Sequence, residues 1–154
     1  MIINNLKNGD IPLISHKNTD NGVAKYIAKV DNAKIFDYTK TISLADRGCF
    51  CASTQNQNFY IGTRVKALVF KENDNVTKNI RLFFVCVINK LQVFFTEYSS
   101  NATDKLPTLK IKLPTDKDGQ IDFEFMESFI KNIEKKPSLK LLRFCEILKA
   151  WGFN

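Results

Sequence analysis

The run from Leu106 to Glu127 constrains the fold more than any other part of the chain. Leu109, Ile111 and Leu113 alternate there with Thr108, Lys110 and Lys112. That period of two predicts a half-buried strand with a basic outer face. Pro114 cannot donate to a ladder and ends it. Asp118-Gly119 supplies a turn. Phe125, Met126, Phe129, Ile130 and Ile133 then recur at helical spacing, behind an Asp122 placed to cap the first turn. Pro137 stops that helix, and Ser138 caps a second one. Leu141, Leu142, Cys145, Leu148 and Trp151 share a face of this second helix before Gly152 ends it.

Upstream, the patterning is strand-rich. Residues 11–15 and 24–30 read as strands around the turn signal Asp20-Asn-Gly22. Further short strands are expected at Thr41–Ala45, Phe50–Ala52, Asn58–Ile61 and Arg64–Phe70, the last rich in β-formers. Residues 71–79 are polar and read as a loop. Residues 80–95 fit a buried helix or a strand pair; periodicity does not separate these for so apolar a run, and length favours the helix. The expected fold class is α+β: a single mixed α/β domain over residues 1–136, strand-rich at its N-terminal part, with a C-terminal helix over 137–154 packing on it or on a partner. No internal repeat or low-complexity segment is present.

A chain of 154 residues matches one ordinary domain and can bury a real core. Its formal net charge of +7 and pI near 9.2 favour a polyanionic partner without defining any sequence preference. The four cysteines, Cys49, Cys51, Cys86 and Cys145, read as reduced and buried, Cys86 inside the apolar run Leu82–Ile88. Met1–Lys7 has no apolar core of a signal peptide, and Leu82–Ile88 is too short to span a bilayer. The expected location is the cytoplasm.

Candidate catalytic groups do not assemble into a recognisable set. Asp116, Asp118, Gly119 and Asp122 imitate part of a calcium loop, but alignment on Gly119 puts Pro114 and Phe125 at ligand positions, and neither side chain coordinates. A turn followed by a helix cap explains the run. Cys49, Cys51 and the only histidine, His16, fall short of a four-ligand zinc set, and both cysteines would face one side of a strand. A small hydrolase using Cys51 or His16 lacks supporting residues. Glu124, Glu127 and Glu134 suit a solvated helix face. Gly-rich phosphate loops, nucleophile elbows and HExxH are absent, as is the Asn/Asp-Pro-Pro-Tyr/Phe signature of adenine methyltransferases. No cofactor or metal is expected.

What remains is a binding surface. Ser15-His-Lys-Asn-Thr-Asp-Asn-Gly22, followed by Lys25 and Tyr26, and Thr54-Gln-Asn-Gln-Asn58, led by Ser53, are two polar loops on a basic chain. Asn and Gln pair bidentately with adenine in the major groove, while Lys and Arg suit guanine or phosphate. An ordinary exposed loop and hairpin turn is the alternative, since Asn and Gly favour turns whatever their function.

In order and spacing, several short motifs together resemble the target-recognition domain of type I restriction–modification specificity subunits. These are Gly9-Asp-Ile-Pro-Leu-Ile-Ser15, Asn21-Gly22 with Tyr26, Gly48, Phe59-Tyr60, Thr63-Arg-Val-Lys-Ala-Leu68, Leu82–Lys90, Leu106–Pro114 and Gly119–Glu127. Together they cover roughly residues 9–136. The resemblance implies a non-catalytic domain that reads one half of a bipartite duplex DNA site and directs an adenine methyltransferase, with or without an endonuclease subunit, to it. It also favours the helical reading of residues 80–95. Candidates near base edges are Ser15, His16, Lys17, Asn21, Gln55, Asn56 and Gln57. Lys25, Thr54, Arg64, Lys110 and Lys112 complete the expected DNA-binding set. Family members usually carry two such domains joined by long helices, whereas this chain has one and Pro137 interrupts the spacer position. It fits a half-length subunit acting as a homodimer, a variable module, or the specificity part of a related type II or BcgI-like system. The competing reading is a basic protein-interaction module that uses the 138–154 helix and binds no DNA sequence-specifically.

Overall fold

A computed structural model describes residues 6–71, 76–95 and 103–135. Its strands are β1 (Asn8–Ile14), β2 (Val23–Ile27), β3 (Thr41–Asp46), β4 (Phe50–Ser53), β5 (Tyr60–Ile61) and β6 (Val65–Val69). Its α-helices are α1 (Lys78–Asn89) and α2 (Phe123–Lys135). This is the expected α+β class. The chain divides into two compact units, Met1–Ile111 with these six strands and α1, and Lys112–Asn154 with α2.

In the first unit, one sheet has the order β2-β1-β5, with β1 antiparallel to β2 and parallel to β5. The central strand explains its own sequence. Successive strand residues point to opposite faces, and Leu13 and Ile14 are buried on both. Leu13 joins Ile27 and Tyr60, while Ile14 joins Phe59 and Val65. The Tyr60 hydroxyl accepts from Val30 N at 3.0 Å, pinning the chain just past β2. Pro12 is tolerated within β1 because the ladder to β5 begins only at Leu13. Gly9 sits in a bulge, where Asn8 and Ile11 both register with Ile27. A Cβ there would collide with the Ala28 backbone, only 2.5 Å from its Cα.

The second sheet has the order β4-β3-β6 and is antiparallel throughout. Ile42 and Leu44 of β3 cluster with Phe50, Ala52, Ile88 and Phe95, and the Phe50 and Phe95 rings stack at 4.4 Å. Ser43, between them in β3, lies opposite Ser53 of β4.

The 80–95 run forms a helix as far as Asn89 and then a 3₁₀ turn at Lys90–Phe94. Thr77 caps α1, accepting from Ile80 N at 3.2 Å, and Ile80, Phe83, Val87 and Ile88 are its buried apolar residues. At its other end, the Asn89 amide pairs with both backbone groups of Ala52. Its Oδ1 accepts from Ala52 N at 2.6 Å and its Nδ2 donates to Ala52 O at 3.0 Å. A side chain thus covers part of the open edge of β4. Arg81 is buried and donates to the carbonyls of Thr39 and Val76 at 2.6 and 2.9 Å, which holds the β3 approach against α1.

The expected strand at Thr108–Leu113 does not form. Leu106–Thr108 is a 3₁₀ turn, and residues 109–113 carry no regular secondary structure and pair with no strand among the described residues. Pro107 and Pro114 lack backbone N–H groups at both ends of the segment, and Thr108 N donates to Lys105 O instead. The alternation nevertheless persists as burial: Leu109 and Ile111 are half-buried and Lys110 is exposed. Leu106 and Leu109 pack on the cluster around Phe50.

In the second unit, the Asp116 carboxylate accepts from Asp118 N and Gln120 N at 2.9 and 2.8 Å, and Gly119 takes φ 77°. Asp122 Oδ1 accepts from Phe125 N at 2.7 Å and caps α2. The turn-and-cap reading of these acidic residues holds. Pro137 and the second helix expected over 139–151 lie outside the described residues.

Gly9→Ala should lower unfolding free energy by about 2–3 kcal/mol, as overpacking against immobile backbone does. Gly119→Ala, with no atom within 4 Å of the added Cβ but φ at 77°, should cost only about 1 kcal/mol. Urea denaturation of both variants checks the ranking.

Candidate functional site

The β1–β2 connection closes on itself. Ser15 N donates to Gly22 O at 2.8 Å, and Gly22 N donates to Thr19 O at 2.8 Å. Between these bonds the backbone passes through three successive left-handed residues, Asp20, Asn21 and Gly22, with φ of 50°, 51° and 81°. That conformation costs a non-glycine residue roughly 1–2 kcal/mol, least for Asn and Asp. The surroundings must therefore hold it.

At the tip they converge on one atom. The Asn21 carbonyl accepts from Ser53 Oγ at 2.9 Å and from Gln55 Nε2 at 2.8 Å. The same Gln55 nitrogen lies 3.2 Å from Ser43 Oγ and 3.2 Å from Ser53 Oγ, and the two serine hydroxyls are 2.9 Å apart. A serine pair in register on β3 and β4, with the buried amide beyond it, thus clasps the tip of a loop that belongs to the other sheet. Beside the clasp is a cleft of about 260 Å³, lined by loop residues Lys17, Asn18 and Asn21, by Ser43, Ser53 and Thr54, and by Asn89 of α1.

The two polar loops of the sequence do meet, though not as two rows of exposed amides. His16, Asn21, Asn56 and Gln57 are exposed, and Lys17 and Thr54 are half-buried. Gln55 is only 6% exposed and Ser15 only 9%, because both are hydrogen-bonded inside the fold. As placed, neither side chain lies on the exposed surface of the loops. Gln57 reaches the Asp10 carbonyl at 2.8 Å, tying its loop across to β1. Lys17 Nζ pairs with Asp20 Oδ2 at 2.9 Å within the loop. Lys25 Nζ bonds the Leu6 carbonyl at 3.1 Å, at the opposite end of the β1–β2 hairpin, and Arg64 is exposed with φ 63°. Lys110 and Lys112 are exposed outside this group. Sequence reasoning passed over Ser43, Asn18 and Asn89; the only signal for Ser43 was a serine placed among apolar strand residues.

The family model described as type I restriction modification DNA specificity domain matches residues 3–143. A curated relative is the type II restriction enzyme BgcI specificity subunit S.BcgI of Heyndrickxia coagulans. It is 30% identical over 138 residues, which is 85% of this chain and 38% of that protein. The chain therefore spans well under half of that relative's length. No solved structure matches significantly.

The three described thiols, all half-buried, hold their protons more tightly than a free thiol does. Burial raises the Cys49 and Cys51 pKa values, and Cys49 Sγ donates to the His16 carbonyl at 3.2 Å. Burial pushes Cys86 from 9.0 up to about 11. Among the described residues, no three His, Cys, Asp or Glu side chains gather to hold a metal, and no helix is long and apolar enough to cross a membrane. In the native state Cys86 should react with iodoacetamide about tenfold more slowly than a free thiol, since its smaller thiolate fraction is only partly offset by the greater nucleophilicity of a more basic thiolate. The fold keeps a proton that the unfolded chain releases near pH 9, so this contribution to stability is complete below pH 9 and lost as pH rises toward 11. Peptide mapping after timed alkylation and urea midpoints across that window test both statements.

Proposed function

Since the chain belongs to the type I restriction–modification DNA specificity domain family, we propose that it reads one half of a bipartite duplex site and brings an adenine methyltransferase to it, performing no chemistry itself. The observation that carries this reading is the clasped loop 15–22. It presents exposed His16, Asn18 and Asn21 on a rigid tip, on a chain of net charge +7. Base edges are read by side chains held in place, and phosphate contacts from Lys and Arg set the register. Lys17, with Asn56 and Gln57 from the neighbouring loop, joins the reading group. Ser15 and Gln55 serve as scaffold. Thr54, Arg64, Lys110 and Lys112 are assigned to the phosphate backbone, and Lys25 to the hairpin it fastens.

The name of the relative, a type II restriction enzyme specificity subunit, supports a complex that includes an endonuclease function. Residues 1–136 form the DNA module in this reading, and residues 137–154 the segment that meets a methyltransferase subunit in the cytoplasm. Two copies of the module, as a homodimer, would read a symmetric site, and a strictly monomeric active complex would overturn that part.

Selection of a randomised duplex pool, by the protein alone and with its methyltransferase, should enrich a short motif whose binding falls steeply with salt. Binding without an enriched motif would reduce the protein to a generic basic binder. No retained duplex in either arm would favour the protein-interaction module instead. Asn56→Ala should cost about 1–3 kcal/mol at a single base position. Lys110→Ala should weaken all sequences alike and lower the salt slope by about one. Titration of single-base site variants at several salt concentrations separates the two behaviours.

A further inference from the structure

We propose that Gln55 is a specificity-positioning residue: without touching DNA, it sets the base preference of loop 15–22 by holding the carbonyl of Asn21. The inference rests on the DNA-reading function above and concerns which residue orients that site. Gln55 lies beneath the loop with its side chain almost wholly buried, so a direct contact with a base is closed to it. Its Nε2 reaches Asn21 O at 2.8 Å while Ser43 Oγ and Ser53 Oγ sit at 3.2 Å, and an amide nitrogen has two hydrogens for these three acceptors. The shortest of the three contacts leaves the sheet and crosses to the loop.

What it grips there is the middle of three left-handed residues, Asp20, Asn21 and Gly22. Such backbone persists only where its surroundings over-determine it. Of the donors that do so, Ser53 ends β4 of the other sheet and Gln55 follows two residues later in the connection to β5. Loss of the amide leaves the Asn21 carbonyl to Ser53 alone and loosens the Asn21 peptide. The exposed Asn21 side chain shifts with it, and so do Asn18 and His16 on the same closed loop. Direct readout requires groups held within about 0.5 Å of their productive positions, so a small rotation is enough to blur it. Phosphate contacts made by lysines elsewhere are unaffected.

The test compares the full chain, complexed with its methyltransferase, as wild type, Gln55→Met and Ser53→Ala. Each is put through randomised-duplex selection, a salt titration and thermal melting, with binding read well below every melting point. Gln55→Met keeps the side-chain length and removes both amide hydrogens. It should lower discrimination about tenfold at one or two half-site positions and leave the salt slope unchanged. Ser53→Ala, which leaves the Gln55 donor in place, should soften the same positions by less. A merely structural Gln55 would lower the melting point and preserve every discrimination ratio, and that result overturns the inference. So does a uniform loss across all positions. If Gln55→Met does not fold, Ser53→Ala decides: softening confined to the positions read by the loop supports the inference, and unchanged ratios overturn it. A wild type that enriches no motif would instead defeat the DNA reading itself, and the inference with it.

Discussion

Burial of β1 on both faces is the constraint on which the first unit depends. Leu13 and Ile14 face opposite ways into separate apolar clusters, so a slip of one residue would exchange both partners at once. With the register held, Ile14 O is in place to accept from Gly62 N at 2.7 Å, and Ser15 N is in place to close the loop on Gly22 O. Gly9 and Pro12 follow from the same placement: one yields room to the Ala28 backbone, and the other sits just before the β5 ladder begins.

The second sheet turns this rigid strand into a positioned loop. Its alternation places Ile42 and Leu44 in the apolar cluster with Ile88 and leaves Ser43 to meet Ser53 and Gln55. Each sheet supplies half of an arrangement that neither holds alone. One brings a left-handed tip, and the other, with Ser53 at the end of β4 and Gln55 just beyond it, brings the donors that keep it in shape. Buried polar groups satisfied in this way rigidify what they touch, which is what a surface that discriminates between similar base edges requires.

Much of the fold was legible from local rules. The strand segments, the helix at α1, the Asp122 cap and the Asp116 turn follow from alternation, length and side chains that bond their own backbone. The Thr108–Leu113 segment was misread for a physical reason: alternation reports which side chains are buried, and a strand also needs a neighbour to pair with. Its leucines are half-buried as the pattern implied, while its backbone pairs with no strand among the described residues.

The family, the α+β class, the basic character and the polar make-up of loop 15–22 were all decided by the sequence, because each depends on residue type and short-range spacing. Which amides face outward was decided only by tertiary structure. Gln55, Asn56 and Gln57 are neighbours of similar chemistry, and nothing local separates them. Gln55 is drawn inward by Ser53 two residues before it and by Ser43 and the Asn21 carbonyl, 12 and 34 residues before it; Asn56 is exposed, and Gln57 fastens to β1. A polar side chain goes where an unsatisfied partner is buried, and the position of that partner is a property of the folded chain.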